Sequence, residues 1–292
     1  MAQNYAIVVD STTDITSQLA TDWNVEIIPY IFTLDGKDYY NHLDYRELSV
    51  KDFYNKLREG KMATTTQVTA HRYREAWEPF LKDGKDILYM CLSSALSKSY
   101  DQSCIAANEL REEYPDRKII TIDTKAASLG QGLLAYLSSK ARAEGKSVQE
   151  NADYIESIIP RLNHWIVPDD LHHLHRGGRL SGMSAFIGSM LSIKPVLAII
   201  KDGSLAPVTK ARGWAKALDF ILGKMEELEY TAEDLFIAHS DHSERAEQTK
   251  QAVSTKFGDK NFVINSIGPV IGTHTGPGTI ALVFIAKERV SV

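Results

Sequence analysis

The sequence predicts an α/β fold of two successive α/β domains, the first with a mainly parallel sheet flanked by helices, the second with a mixed sheet. Three observations predict it. Short apolar runs alternate with helical-period stretches of about 10–15 residues, the spacing of βαβ units. The texture changes around Pro160, beyond which a polar, histidine-rich segment begins. At 292 residues, the chain is about twice the usual single-domain length. The boundary is placed at residue 160, giving domains over 1–160 and 161–292.

Tyr5–Asp10 (YAIVVD) reads as a buried strand, ended by Ser11-Thr12-Thr13-Asp14, whose side chains suit a turn and a helix cap. Val25–Thr33 reads as a second strand, with Pro29 tolerated at an edge. Ser49 and Asp52 resemble a capping pair for an amphipathic helix through Phe53 and Leu57, which Gly60 stops. Ala70–Leu81 is helical, Ile87–Leu92 a third strand, Lys98–Tyr114 a helix and Lys118–Ile122 a fourth strand. Helices follow over 129–144 and, behind a Ser147/Glu150 capping box, over 148–159. In the second half, Trp165–Pro168 is a brief strand, 169–175 a polar helix and Arg176-Gly-Gly-Arg179 a turn. Pro195–Ile200 is a strand, and Lys201-Asp-Gly203 has the turn chemistry to fold Leu205–Val208 back against it. Trp214, Leu218, Ile221, Leu222, Met225 and Leu228 recur at helical spacing as a core face. Strands near 234–238, 262–266 and 279–286, with a helix over 243–256, complete the pattern.

Composition narrows the function. A 43% hydrophobic and 24% charged chain has the makeup of a globular protein with ample core. A net charge of −5 argues against nucleic acid, whose binding needs a basic surface. Cys91 and Cys104 are too few for a disulfide framework and too far apart for a redox pair. The start, Met1-Ala2-Gln3-Asn4, has no basic, apolar leader pattern. Apolar runs reach about half a dozen residues, far below the ~20 of a membrane helix. A cytoplasmic protein is expected.

Several motifs fail on context. Gly130-Gln-Gly132-Leu-Leu-Ala135 matches GxGxxA, but residues 123–128 separate it from the preceding strand, so a dinucleotide fingerprint is not supported. Gly272–Gly278 is glycine-rich without the lysine of a phosphate loop. His172, His173 and His175 lack an acidic or cysteine partner at ligand spacing, and no metal is expected. His239-Ser-Asp-His242 has the residue types of a hydrolytic triad but not its geometry, since sequence neighbours cannot form it.

Three hydroxyl-rich loops survive: Ala63–Thr69, Leu92–Tyr100 and Ile271–Gly278. Each alone is explained by turn and cap chemistry. Hydroxyls and helix-start N–H groups also donate well to a carboxylate or phosphate. The Ser93–Ser97 stretch falls at the carboxyl end of a predicted strand, where α/β sheets bind ligands.

Taken in order, these segments resemble the DegV family of bacterial fatty-acid-binding proteins. VVDSTTD (Val8–Asp14) is similar to the family's DST-x-D start, TTTQVT (Thr64–Thr69) to its TSQP-like loop, and SSALSKSY (Ser93–Tyr100) to SS-x-LSGTY. HRGGRLS (His175–Ser181) is similar to the RGGR turn and IGTHTGPG (Ile271–Gly278) to the THTG-G loop. The resemblance covers residues 6–286. It implies two α/β domains enclosing an acyl tunnel, with the head-group site at the domain junction. It also implies a non-catalytic role: no cofactor beyond the bound long-chain fatty acid, whose carboxylate a separate fatty acid kinase subunit converts to an acyl phosphate for phospholipid metabolism. Lipid exchange leaves room for transient contact with a membrane surface.

Carried over by motif, the resemblance implies that Thr65 and Ser97 each bond one carboxylate oxygen, or share one, and that His274 bonds the same group. Ser93, Ser94, Thr66 and Thr273 are implied as loop support, and Arg179 and Arg212 as residues of the mouth or the kinase-facing surface, the alternative being solvated arginines on turns. The apolar segment Met183–Ile200, with Phe186, Ile187, Met190, Leu191 and Ile193, is a candidate tunnel wall or ordinary core. Three positions depart from the family pattern. Val68 replaces a proline, which predicts a looser loop. Lys98 and Ser99 replace Gly-Thr, and the lysine either adds a cation near the head group or projects to solvent. The competing readings are a stand-alone hydrolase or phosphotransferase with His274 as acid–base, and a nucleotide-responsive regulator built on Gly130–Ala135.

Overall fold

The computed structural model describes residues 4–169, 171–180, 193–231 and 233–291. Strand β1 (Tyr5–Asp10) is buried throughout and runs into a 3-10 turn in which the Asp10 side chain accepts the Thr12 N–H. Helix α1 (Ser17–Asp22) leads to β2 (Val25–Ile28). The single strand expected over Val25–Thr33 is in fact two. Pro29 has no N–H to carry the ladder onward, and the chain turns there into β3 (Ile31–Leu34) of a separate sheet. A hairpin follows to β4 (Lys37–Tyr40), across Asp35 and Gly36, which both have positive φ and fit a tight primed turn.

Helix α2 (Val50–Arg58) is capped by Ser49, whose side chain accepts the Asp52 N–H. The stretch expected to be a loop at Ala63–Thr69 begins as a strand, β5 (Ala63–Thr66), antiparallel to β3 with Thr65 opposite Phe32. Then come α3 (Ala70–Lys82), β6 (Asp86–Cys91), α4 (Ser99–Glu113) and β7 (Ile119–Asp123). The order β2-β1-β6-β7 makes one wholly parallel sheet.

Helices α5 (Leu129–Ala143) and α6 (Val148–Ile158), the latter with the expected capping box, precede the second sheet. This is built from β8 (Leu162–Val167), then, after α7 (His172–Arg176), β9 (Ile193–Ile199) and β10 (Leu205–Arg212). Helix α8 (Gly213–Glu227), β11 (Asp234–His239), α9 (Ser243–Phe257) and β12 (Asn261–Ser266) follow. The expected glycine-rich loop is largely a helix, α10 (Pro269–Thr275), with proline favourable in its first turn. Strand β13 (Ile280–Ile285) closes the chain's second sheet in the order β10-β9-β8-β13-β11-β12, where only β11 and β12 are parallel.

Helix α5 packs on both sheets. Its Leu129, Leu133 and Leu134 share one apolar cluster with Ile7 and Val9 of β1 and with Ile166, Phe236 and Val283 of the second sheet. Its two glycines let the flanking elements come close. A Cβ on Gly132 would stand 3.1 Å from the Thr13 carbonyl, and one on Gly130 would stand 1.7 Å from His164 Nε2. The formal GxGxxA match is thus accounted for by packing.

A buried carboxylate ties the same junction. Asp14 Oδ2 accepts from Ser128 Oγ at 2.6 Å, and Oδ1 from the Gly268 N–H at 2.9 Å. The Asp14 carbonyl accepts from Asn265 Nδ2 at 2.6 Å. Burial pushes the Asp14 carboxyl up to about 7, although both donors pull the other way. The folded protein therefore holds this proton more tightly than the unfolded chain. The resulting stability is complete below the unfolded carboxyl range and is lost as pH rises through about 7. Asp14→Asn keeps an acceptor for Gly268 and removes the titration, so it is expected to flatten the fall in denaturation midpoint between about pH 4 and about pH 7. Parallel midpoint curves for both proteins would contradict this.

Candidate functional site

A cavity of about 400 Å³ opens where the two halves meet, within the size range of small-molecule sites. Most of its wall is apolar, including Leu129, Ile166, Ile199, Leu205 and Val283 from α5, β8, β9, β10 and β13. The polar groups Thr65, Ser97, Arg179 and His274 also border it.

Each of these is placed by a different element. Thr65 rides on β5, and its Oγ1 lies 2.9 Å from His274 Nε2 of α10. Ser97 lies one residue before Lys98, the N-cap of α4, whose free N–H groups and helix dipole favour an anion. The Ser97 hydroxyl donates to Ser99 Oγ at 3.1 Å, and Ser99 Oγ accepts the Val68 N–H at 3.0 Å. Val68 is fully buried. The N–H that a proline lacks is thus put to use, tying this loop to the start of α4.

The His274 ring lies against the backbone of the arginine-glycine turn. A Cβ on Gly177 would stand 2.3 Å from His274 Nδ1, and that nitrogen has no hydrogen-bond partner. Burial, with the nearby Arg179 charge, pushes the imidazole down to about 4. The ring is neutral at physiological pH. Arg179 donates from Nε to the Leu96 carbonyl at 3.2 Å and from Nη1 to that of Gly177 at 2.6 Å. It thereby joins the serine loop to the turn beneath His274.

The remaining candidates stand further back. Ser93 donates to the Gly203 carbonyl at 2.8 Å and Ser94 to Asp123 Oδ2 at 2.6 Å, both bracing the loop from outside the cavity wall. Thr66 borders the cavity and is exposed. Thr273 is buried and bonds back to the Pro269 carbonyl within α10. Arg212 is not brought to the cavity; it lies exposed at the end of β10. The Lys98 ammonium is exposed and pairs with Asp101 at 3.4 Å. Of the expected wall, Met183, Phe186, Ile187, Met190 and Leu191 lie outside the described residues, Ile193 is not on the cavity and Ile199 is.

Tyr30 and His164 are among the cavity residues that escaped the sequence reading. Both are buried with no partner for the Tyr30 hydroxyl or for either His164 nitrogen. Tyr30 directly follows Pro29, and that interruption of the strand pattern was its only signal. Among the described residues, no cluster of His, Cys, Asp and Glu is arranged to hold a metal, and no helix is long and apolar enough to cross a membrane.

Comparison with known proteins agrees with this architecture. A family model described as "Uncharacterised protein, DegV family" matches residues 4–287. A DegV domain-containing protein of Clostridium perfringens is 41% identical over 98% of this chain and 99% of its own length. Among solved structures, a DegV family protein from Thermus thermophilus, described for its fatty acid binding, superposes with a TM-score of 0.87 at 28% identity, covering 97% of this chain and 100% of the other. DegV of Bacillus subtilis, described as a fatty acid binding protein, superposes with a TM-score of 0.83 at 26% identity over 98% and 100% of the two chains. With a two-domain α/β fold, a family model spanning nearly its full length and a relative of such identity, this chain belongs to the DegV family.

Proposed function

We propose that this protein binds a long-chain fatty acid with its tail in the apolar cavity and its carboxylate held by Thr65, Ser97 and His274. The observation that carries the reading is the meeting of these donors and the α4 N-terminus beside a cavity whose wall is mostly apolar. The fatty acid binding described for the Thermus and Bacillus relatives supports the ligand class. The energetics assign separate roles to tail and head. A palmitoyl tail has about fourteen methylenes at ~0.8 kcal/mol each, a gross gain of roughly 11 kcal/mol. Each charge-assisted hydrogen bond adds about 1.5–3 kcal/mol. The tail supplies affinity, and the donors select an acid over an alcohol or hydrocarbon.

We further propose that the bound carboxylate is presented to a separate kinase and phosphorylated to an acyl phosphate, with ATP and magnesium carried by that partner. The exposed Thr66, Lys98 and Arg179 on the cavity border give a partner access to the head group while the tail stays covered. A hydrolytic reading is less well supported. Thr65 and His274 stand like a nucleophile and base, but His274 Nδ1 has no orienting partner. A ring pushed down to about 4 is also a weak base near neutral pH.

Protein purified without added lipid is expected to carry a fatty acid in about equimolar amount, which a fatty acid kinase with ATP converts to acyl phosphate. Extraction and mass spectrometry finding no acyl chain would remove the binding reading; an acyl chain that stays unphosphorylated would remove only the kinase step. Thr65→Ala, Ser97→Ala and His274→Ala are each expected to weaken fatty acid binding about tenfold or more, and unchanged affinity in all three would move the head group elsewhere. A carboxylate beside His274 favours the charged ring, so its pKa should rise from about 4 on binding, with uptake of a proton. Imidazole resonances that titrate identically with and without ligand would be inconsistent with this placement.

A further inference from the structure

His164 is an anomaly in the apolar part of the cavity. It lies on β8, in register with Val283 of β13, two residues further from α10 than Ala281, which pairs with Ile166. That offset is about 7 Å along the strand. The cavity walls nearest in register, Ile166, Ile199, Leu205 and Val283, are hydrocarbon. The imidazole is 2% exposed, and neither nitrogen has a hydrogen-bond partner. Arg289, the charged neighbour that with burial holds the ring neutral, donates instead to the carbonyls of Leu162 and Lys125. A neutral imidazole has one donor and one acceptor, and leaving both unpaired away from water is costly. Gly130 makes room for the ring, since a Cβ there would overlap Nε2. A half-turn about Cβ–Cγ exchanges the nitrogen and carbon edges within nearly the same volume, so either edge can face the cavity.

We propose that His164 forms a polar subsite within the acyl tunnel, selecting fatty acids that carry a hydroxyl at its depth over plain hydrocarbon chains. A hydroxyl both donates and accepts, and so complements a neutral imidazole in either tautomer. An unsubstituted chain leaves the ring unpaired against methylenes. The proposal rests on the fatty-acid-binding reading above.

The test is competition between palmitic acid and a positional series of hydroxypalmitic acids for the delipidated protein. The wild type is expected to favour one position in the series by about tenfold. His164→Leu should reverse this, binding palmitic acid more tightly and the favoured hydroxy acid more weakly, whereas His164→Gln should retain the preference. A flat series in the wild type overturns the proposal without any variant, as does an unchanged ratio in folded His164→Leu. Binding of palmitic acid with a flat series leaves the fatty-acid reading standing and removes only the subsite. Failure of every acid to bind removes both.

Discussion

The close approach of two sheets to one helix governs the rest of this molecule. Helix α5 has apolar contacts on both sides, and its glycines set how near each side comes. Gly132 admits the turn after β1, and Gly130 admits the β8 side chain. Side chains at either position would separate layers whose dispersion contacts fall off within an ångström. The cavity lies beside this contact, bordered by Leu129 at the start of α5. Its dimensions are therefore coupled to the core and not to loop geometry alone.

The polar end shows the same dependence on distant parts. Thr65 comes from a small antiparallel sheet, Ser97 from the entry to a helix of the parallel sheet, and His274 from a short helix between strands of the mixed sheet. Arg179 links the serine loop to the turn on which the imidazole rests. None of these segments could position the proposed carboxylate alone. In the proposed site, holding donors before the ligand arrives lowers the ordering cost of binding, and the elements behind Thr65 and Ser97 provide that.

Much of the architecture was legible because local chemistry and global fold agree. The β-branched run of β1, the apolar run of β6, the Ser147/Glu150 capping box and the β9–β10 turn each state their structure locally. Where the reading failed, two signals competed. Val25–Thr33 is apolar enough for one strand, but Pro29 divides it between two sheets. The Asp35-Gly36 hairpin was overlooked although its turn signal is plain. Helix α10 was hidden by glycines that Tyr54 and His173 require at Gly272 and Gly276. Thr65 and His274 could be grouped only through a family resemblance, since no local property joins residues so far apart. His164 was invisible for a simpler reason: a polar side chain on a strand usually faces water, and only the packed fold encloses this one.

The link from Val68 through Ser99 to Ser97 has an evolutionary corollary. A main-chain donor at one site and a side-chain acceptor at another satisfy each other. Exchanging Val68 for proline deletes the donor, and exchanging Ser99 for alanine strands it in a dry interior. The effect of either exchange thus depends on which residue already occupies the other position. Substitutions that look independent along the chain are epistatic, and drift at one constrains the path open to its neighbour in space.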